Sequence, residues 1–326
     1  MISRVAESCF WLQRYVERAE STARLVRVNS LTVLDAQIHD AERWRPVVVV
    51  LGEEKRFVEV CGAEAFNVDD RAERYLTWEE DNPMSIKNCV YWARENARTI
   101  REVIGQGMWE TLNTLWHWLS SDDAQRLFTQ DRALFYQRVE AAAAEFQGVC
   151  HSTMLHEEPF EFMRLGLLLE RINQTARVID VKHHMLDTAF AQPNVESPWE
   201  SAQWAALLSF CAGTETFLKR VQATPSGPAV AEFLLKEQAF PRSVVHGLDR
   251  ARNFLQLIQR SVGTKRPPRA LQLILPLLHW LKTTPIEEIF AAGLHEKLTE
   301  IIDTTARACD LVHAEFFDPG PDRLHA

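Results

Sequence analysis

Val5, Cys9, Leu12, Val16, Ala19, Ala23 and Val26 follow one another at alternating steps of four and three residues. An α-helix turns once every 3.6 residues, so this spacing sets all seven side chains on one face of a single helix for about six turns. A stripe of that length can be buried only against other long elements. It therefore constrains the chain to a bundle of helices. The chain carries 12 glycines in 326 residues, and the segments between its Pro and Gly clusters keep the same period. Further helices are predicted over 83–103, 105–119, 131–154, 157–187, 199–220, 241–262, 267–282 and 293–317. In "NPMS" and "PFEF" a proline stands where a helix would start, a position that tolerates its missing donor. Loops are expected at 63–82, 188–198 and 222–228.

"VVVVL" at 47–51 has the β-branched run of a buried strand. It follows "RWRP", no second strand pattern exists to pair with it, and "EEKRFVEV" continues amphipathically. We read it as a short helix broken near Gly52. The fold class is thus all-α, an elongated helical bundle.

The first segment has a relative further along. Shifted by 153 residues, Cys9, Leu12, Val16, Ala19, Ala23 and Val26 fall on Phe162, Leu165, Leu169, Ile172, Ala176 and Ile179. The same shift lays Glu17 on Glu170, Arg18 on Arg171, Thr22 on Thr175 and Arg24 on Arg177. Any two amphipathic helices share a stripe, so the polar matches carry the information. They imply an internal repeat of a long Glu-Arg helix within one domain spanning 1–326, with halves of about 1–155 and 156–326. Glutamate and arginine seven residues apart lie two turns, or about 10.5 Å, from each other. Antiparallel packing about a local two-fold axis would then set Glu17 against Arg177 and Arg24 against Glu170.

Composition narrows the partners. With 36 basic and 45 acidic residues the net charge is −9, which argues against a general affinity for nucleic acid. Arg outnumbers Lys 28 to 8, which suits bidentate pairing with carboxylate or phosphate as well as it suits a biased base composition. Six scattered cysteines without any C-x-x-C pattern fit reduced thiols better than a disulfide framework or a zinc site. The amino-terminal residues lack a secretory pattern, and "LQLILPLLHWL" is too short to span a bilayer and contains Pro276. The expectation is a cytoplasmic protein with no membrane and no nucleic-acid partner.

Glu17 and Glu170 are the candidates for chemistry: paired carboxylates in a low-dielectric bundle act as acid and base when their pKa values are driven apart. The same residues, paired with Arg24 and Arg177, equally suit interior ion pairs. Arg94, Arg98 and Arg101 form one basic stripe able to hold an anion, although Glu95 and Glu102 interleave it. In "FPRSV" Pro241 is expected to start a helix, placing Arg242 and Ser243 in its first turn, where anions bind. Arg242 would alternatively pair with a carboxylate of the central helices. "DVKH" (Asp180, His183) and "DLVH" (Asp310, His313) offer carboxylate and imidazole three residues apart, but the acids are Asp and the two do not match under the repeat. "HSTMLHEEPFE" (His151, His156, Glu157, Glu158) reads as a polar helix junction. No G-x-S-x-G, P-loop or G-x-G-x-x-G occurs. No metal, nucleotide or other cofactor is expected.

"SRVAESCFWLQRYVERAESTARL", "SIKNCVYWARENARTIRE", "MWETLNTLWHWL", "FMRLGLLLERINQTARVID" and "EFLLKEQAFPRSV", in that order, resemble the bacterial alpha-E family over residues 1 to about 262. Gln13 stands where that pattern has glycine, and Gly107 where it has an acidic residue. The resemblance implies an all-helical fold and a place beside circularly permuted ATP-grasp proteins, together with transglutaminase-like proteins. Such company implies a system that makes or remodels amide or peptide bonds. The chain is then expected to be its helical accessory or substrate-presenting component, binding an anionic, peptide-like ligand through Glu17, Arg18, Arg24, Glu170, Arg171, Arg177 and Arg242, with Arg94 and Arg98. The alternatives are an enzyme using Glu17 and Glu170 as acid and base, and a purely structural adaptor between proteins.

Overall fold

A computed structural model describes residues 3–35, 44–68, 70–189 and 198–318, and among them every regular element is a helix. The chain forms two compact units, Met1–Leu167 and Leu168–Ala326. In the first unit α1 (Ser3–Asp35) is followed by the short α2 (Arg45–Val50), α3 (Glu54–Cys61) and α4 (Arg71–Trp78). Then come α5 (Ile86–Thr99), α6 (Gln106–Leu119), α7 (Asp122–Gln130) and α8 (Arg132–Thr153). The helix α9 (Glu158–Ala189) opens in the first unit and continues into the second. The second unit adds α10 (Pro198–Phe210), α11 (Thr214–Val221), α12 (Gly227–Lys236), α13 (Val244–Val262), α14 (Arg269–Thr283), α15 (Ile286–Ala291) and α16 (Leu294–Val312). No helix among the described residues is long and apolar enough to cross a membrane.

The core of the first unit is α1 held between α5 and α8, with α6 packed on both of those and α7 on α8. Cys9, Leu12, Val16, Ala19, Ala23 and Val26 are all buried, and Val5 is half-buried. Each fully buried Leu, Val or Phe contributes about 1.5–3 kcal/mol, so this stripe is the main stabilising contact of α1. In the second unit the α9 counterparts of Val16, Ala19, Ala23 and Val26, namely Leu169, Ile172, Ala176 and Ile179, are buried as well, and α14 packs on α13 and α16.

The "VVVVL" stretch is helical as read. In α2, Val47, Val48 and Val50 are buried, and Gly52, at a positive φ of 74°, ends the turn while the Glu53 amide bonds Val48 O at 3.0 Å. The segment 199–220, expected as one helix, is two. Ala212 takes a positive φ of 49° and the Gly213 amide reaches back to Leu208 O at 2.8 Å, the six-to-one closure that ends a helix. The expected loop 63–82 holds a 3-10 turn (Ala63–Asn67) and α4, whose Ala72, Tyr75 and Leu76 are buried. Two turns of helix give too few repeats of the period to be read from sequence. The helices α7 and α15 escaped for the same reason. The loop at 222–228 yields at Gly227, where α12 begins, and 190–197 of the loop expected at 188–198 lies outside the described residues.

Neither proline of the Pro-x-Ser turns starts a helix. Ser85 caps α5 by accepting from the Asn88 amide, and Ser243 caps α13 by accepting from the His246 amide, each at 3.2 Å. The turn is closed by the Ser85 amide on Asn82 O and the Ser243 amide on Phe240 O, both at 3.0 Å. A capping hydroxyl satisfies one of the orphan amides of the first turn, so the helix begins after serine rather than at proline.

Two glycines set close helix approaches. A Cβ on Gly166 would strike the backbone oxygen of Phe10, and one on Gly247 would strike the side chain of Ile172. Gly148, in the middle of α8, would meet nothing within 4 Å. Chemical denaturation should therefore show Gly166→Ala losing about 1–3 kcal/mol, while Gly148→Ala gains about 0.5–1 kcal/mol. Equal effects of the two substitutions would contradict this account of the α1–α9 approach within the first unit.

Candidate functional site

Gln13, Glu17, Glu20, Arg24 and Arg27 recur along α1 at the same four-and-three spacing as the apolar stripe, and so form a polar stripe beside it. Facing them on α8 are Glu140, Gln147 and Cys150, with the two helices antiparallel. At one end the Gln13 amide nitrogen donates to Cys150 Sγ at 3.6 Å. In the middle Gln147 Nε2 donates to Glu17 Oε2 at 3.2 Å and to Glu20 Oε2 at 3.0 Å. Arg24 pairs with Glu20 one turn back and with Glu140 Oε2 at 3.4 Å. Arg27 completes the seam with a two-pronged contact to Glu140, at 2.6 Å and 3.1 Å. Glu17 and Gln13 have no exposed surface, and Arg24 is 8% exposed. Charges this deep are tolerable only when paired and hydrogen-bonded. Three buried polar atoms of α1, Gln13 Oε1, Thr22 Oγ1 and Arg24 Nη1, have no hydrogen-bond partner.

The crossed Glu-Arg pairs expected from sequence would join residues of different units; within their own units several of the candidates have further partners. Arg18 Nη1 donates to Met84 Sδ at 2.8 Å. On α9, Glu170 accepts from Gln174 at 3.1 Å and Arg177 donates to Asn173 at 2.8 Å. Asn173 in turn donates to Ile302 O and Thr305 Oγ1 of α16, and Thr175 donates to Arg242 O at 3.0 Å. Arg171 lies half-buried on α9, beside Glu170. Arg242 precedes the Ser243 cap, so it is outside the first turn of α13 where the sequence had placed it. The reason is that Ser243, in extended conformation, is the cap itself.

Arg94 donates to Asn113 and to Glu95, each at 2.9 Å, and Arg98 to Glu95 at 2.5 Å. Arg94 and Arg101 also stand over the Trp109 ring, at 5.3 Å and 4.8 Å. The basic stripe is therefore paired along its own helix and against α6. Asp180 accepts from His295 at 2.7 Å, and His313 meets the Phe317 ring. The His183 side chain lies outside the described residues. His156 stacks on Phe160 at 3.9 Å, as suits a helix junction. Among the described residues no three His, Cys, Asp or Glu side chains converge as a metal site. A cavity of about 400 Å³ lies between α6 and α8, lined by Gly107, Thr111 and Trp118 on one side and Arg138, Ala142 and Glu145 on the other. None of the sequence candidates lines it.

Sequence reasoning missed Glu20, Arg27, Glu140 and Gln147. The Glu20–Arg24 pair, four residues apart, was readable. Glu140 and Gln147 had no signal, because their role depends on which face of α8 meets α1.

A second buried network ties α4 to α8. Glu73, fully buried, accepts from Tyr136 Oη at 2.9 Å and pairs with Arg132, which also binds Asp70 at 2.5 Å; Tyr136 meets Thr77 Oγ1 at 2.9 Å. Burial pushes the Glu73 carboxyl above its ordinary 4.5, outweighing the pull of Arg132 and Tyr136. The Arg132 guanidinium is held charged, chiefly by Asp70.

A family model, Alpha-E, described as a predicted alpha-helical domain with a conserved ER motif, matches residues 1–317. Two uncharacterized proteins, one of Mycobacterium bovis and one of Mycobacterium tuberculosis, are each 27% identical over 321 residues, which is 92% of this chain. A second Mycobacterium tuberculosis sequence is 26% identical over the same length. The chain spans only 35% of these relatives' own length. No solved structure matches it.

Truncating Glu140 strips Arg24 and Arg27 of a shared carboxylate, so Glu140→Ala should cost about 3 kcal/mol in urea unfolding; a loss near zero would mean the seam is not buried as described. For Glu73 the ionised form is disfavoured in the folded state. Its stabilising contribution is complete below the unfolded value of 4.5 and is lost as pH rises through the raised folded value. Glu73→Gln, uncharged throughout, should gain stability relative to wild type as pH rises above the unfolded value of 4.5. Parallel stability curves for the two proteins would contradict the shift.

Proposed function

The chain belongs to the Alpha-E family, and from that premise we propose that it is a helical accessory module of an ATP-grasp-type amide or peptide ligase system, shaping or presenting an anionic, peptide-like substrate. Support for a module comes from the relatives, of whose length this chain spans 35%. Support for an accessory role comes from one observation above the others. Arg24, seven residues after Glu17 in the first repeat copy, is held by two carboxylates of its own unit, Glu20 and Glu140. A charge neutralised in this way stabilises a fixed helix register, and buried polar pairs are well suited to that task.

In this reading the two Glu-Arg stretches are copies of one device. The 153-residue offset between them and the matching Pro-x-Ser turns capped by Ser85 and Ser243 support it. Glu17 and Glu170 hold the device in place. Within the first unit Arg18, with Arg94 and Arg98 on α5, supplies positive charge toward an anionic ligand, and within the second unit Arg171, Arg177 and Arg242 do the same. The partner is a circularly permuted ATP-grasp protein, and a transglutaminase-like protein belongs to the same system. Activation of the carboxylate by ATP takes place on the partner, and the expected compartment is the cytoplasm.

Glu17→Gln and Glu170→Gln, singly and together, measured for thermal stability and for amide product in the presence of the ATP-grasp partner, test this reading. The expected result is a lower Tm for each variant, with product formation falling only as far as the folded fraction does. Variants that remain fully folded yet form no product would overturn it and make the two glutamates the acid and base of an enzyme.

A further inference from the structure

The cavity of about 400 Å³ between α6 and α8 is of a size that holds a small molecule. Its two ends carry opposite charge. At one end Arg138 stands over the Trp118 ring, 4.3 Å from its centre. At the other, Glu145 accepts from Thr111 Oγ1 at 3.4 Å, and Glu110 lies beside it on α6, accepting from Gln106 at 2.6 Å. Arg138 and Glu145 are seven residues apart on α8, so they share one face about 10.5 Å apart. The small side chains of Ala141 and Ala142 leave the space between them open. Among the described residues Arg138 has no hydrogen bond and no ion pair, and neither Glu110 nor Glu145 has an ion pair.

The second unit holds a related arrangement in which the cation is neutralised. His117-Trp118-Leu119, at the end of α6, recurs as His279-Trp280-Leu281 near the end of α14. Trp280 also carries a cation, Lys297 of α16, 4.9 Å from the ring centre. Lys297 is paired with Glu300, three residues on, at 3.1 Å. The residue three after Arg138 is Ala141. That alanine does two things at once: it leaves the guanidinium without a carboxylate, and it opens the floor of the groove.

We propose that the groove binds a short zwitterionic peptide, its carboxylate on Arg138 and its ammonium group on Glu110 and Glu145. An extended chain advances about 3.3–3.6 Å per residue, so the ends of a tripeptide stand about 10 Å apart, which matches the charge separation of the groove. A guanidinium offers a carboxylate two parallel N–H donors, and the carboxylates accept from the ammonium group. A simple anion would leave the two glutamates unanswered, and a simple cation would leave Arg138 so. Leu115 and Trp118 supply apolar wall for the peptide between its ends. The site stands apart from the two Glu-Arg stretches, and its test needs no partner protein.

The test is isothermal titration of the full chain with trialanine at low salt. One peptide should bind per chain. Affinity should fall at least about 10-fold for N-acetyl-trialanine, for trialanine amide and for dialanine, whose charges stand too close together. Arg138→Gln and Glu145→Gln should each cost a similar factor. Ala141→Glu, which rebuilds the Lys297–Glu300 pairing beside Arg138, should abolish binding. Residues 138, 141 and 145 are all exposed on α8, so these variants should keep the wild-type helical circular dichroism. The blocked peptides carry the test on the unaltered chain. No saturable heat with trialanine overturns the proposal, and so does equal binding of free and blocked peptides or undiminished binding by Ala141→Glu.

Discussion

The burial of one long stripe on α1 is the contact on which the first unit depends. Cys9, Leu12, Val16, Ala19, Ala23 and Val26 are withdrawn from water by α5 on one side and α8 on the other. The short helices α2, α3 and α4 add smaller contacts around this frame. Gly166 brings the start of α9 against the backbone of Phe10, an approach that a single added methyl group would block. A helix of this length holds its place only when its buried face is matched over most of its turns, because helical propensity alone is weak.

Beside that stripe runs the polar seam, and the two make different demands. Apolar packing is indifferent to small slips in register, since one leucine replaces another at little cost. The seam is not. Moving α8 by one turn against α1 would take Gln147 from Glu17 and Glu20, and Glu140 from Arg24 and Arg27, leaving charges buried without partners. The seam thereby selects one register among several that the apolar stripe would accept. In the first Glu-Arg stretch both residues lie on α1, Glu17 inside the seam and Arg18 directed toward Met84.

Much of the fold was legible because helix periodicity is a local property. The long helices were read to within a few residues, and α2 was recognised despite its valines because no second strand could pair with it. Boundaries were less legible where a cap decides them. Pro83 and Pro241 look like helix starts, yet Ser85 and Ser243 take that role because their hydroxyls satisfy the first free amides. The short α4, α7 and α15 had too few turns to display a period.

For the candidate site the sequence by itself determined that Glu17, Arg18, Arg24 and their counterparts on α9 sit on long helices next to buried stripes, since spacing and residue type settle that without any partner. Only the tertiary structure decided whom those charges meet. Arg24 finds Glu140, and Glu17 finds Gln147, because α8 runs antiparallel to α1 and turns the face carrying residues 140, 147 and 150 toward it. The physical reason is one of range: periodicity is written within a few turns of chain, whereas the partner of a buried charge is chosen by packing between helices more than a hundred residues apart.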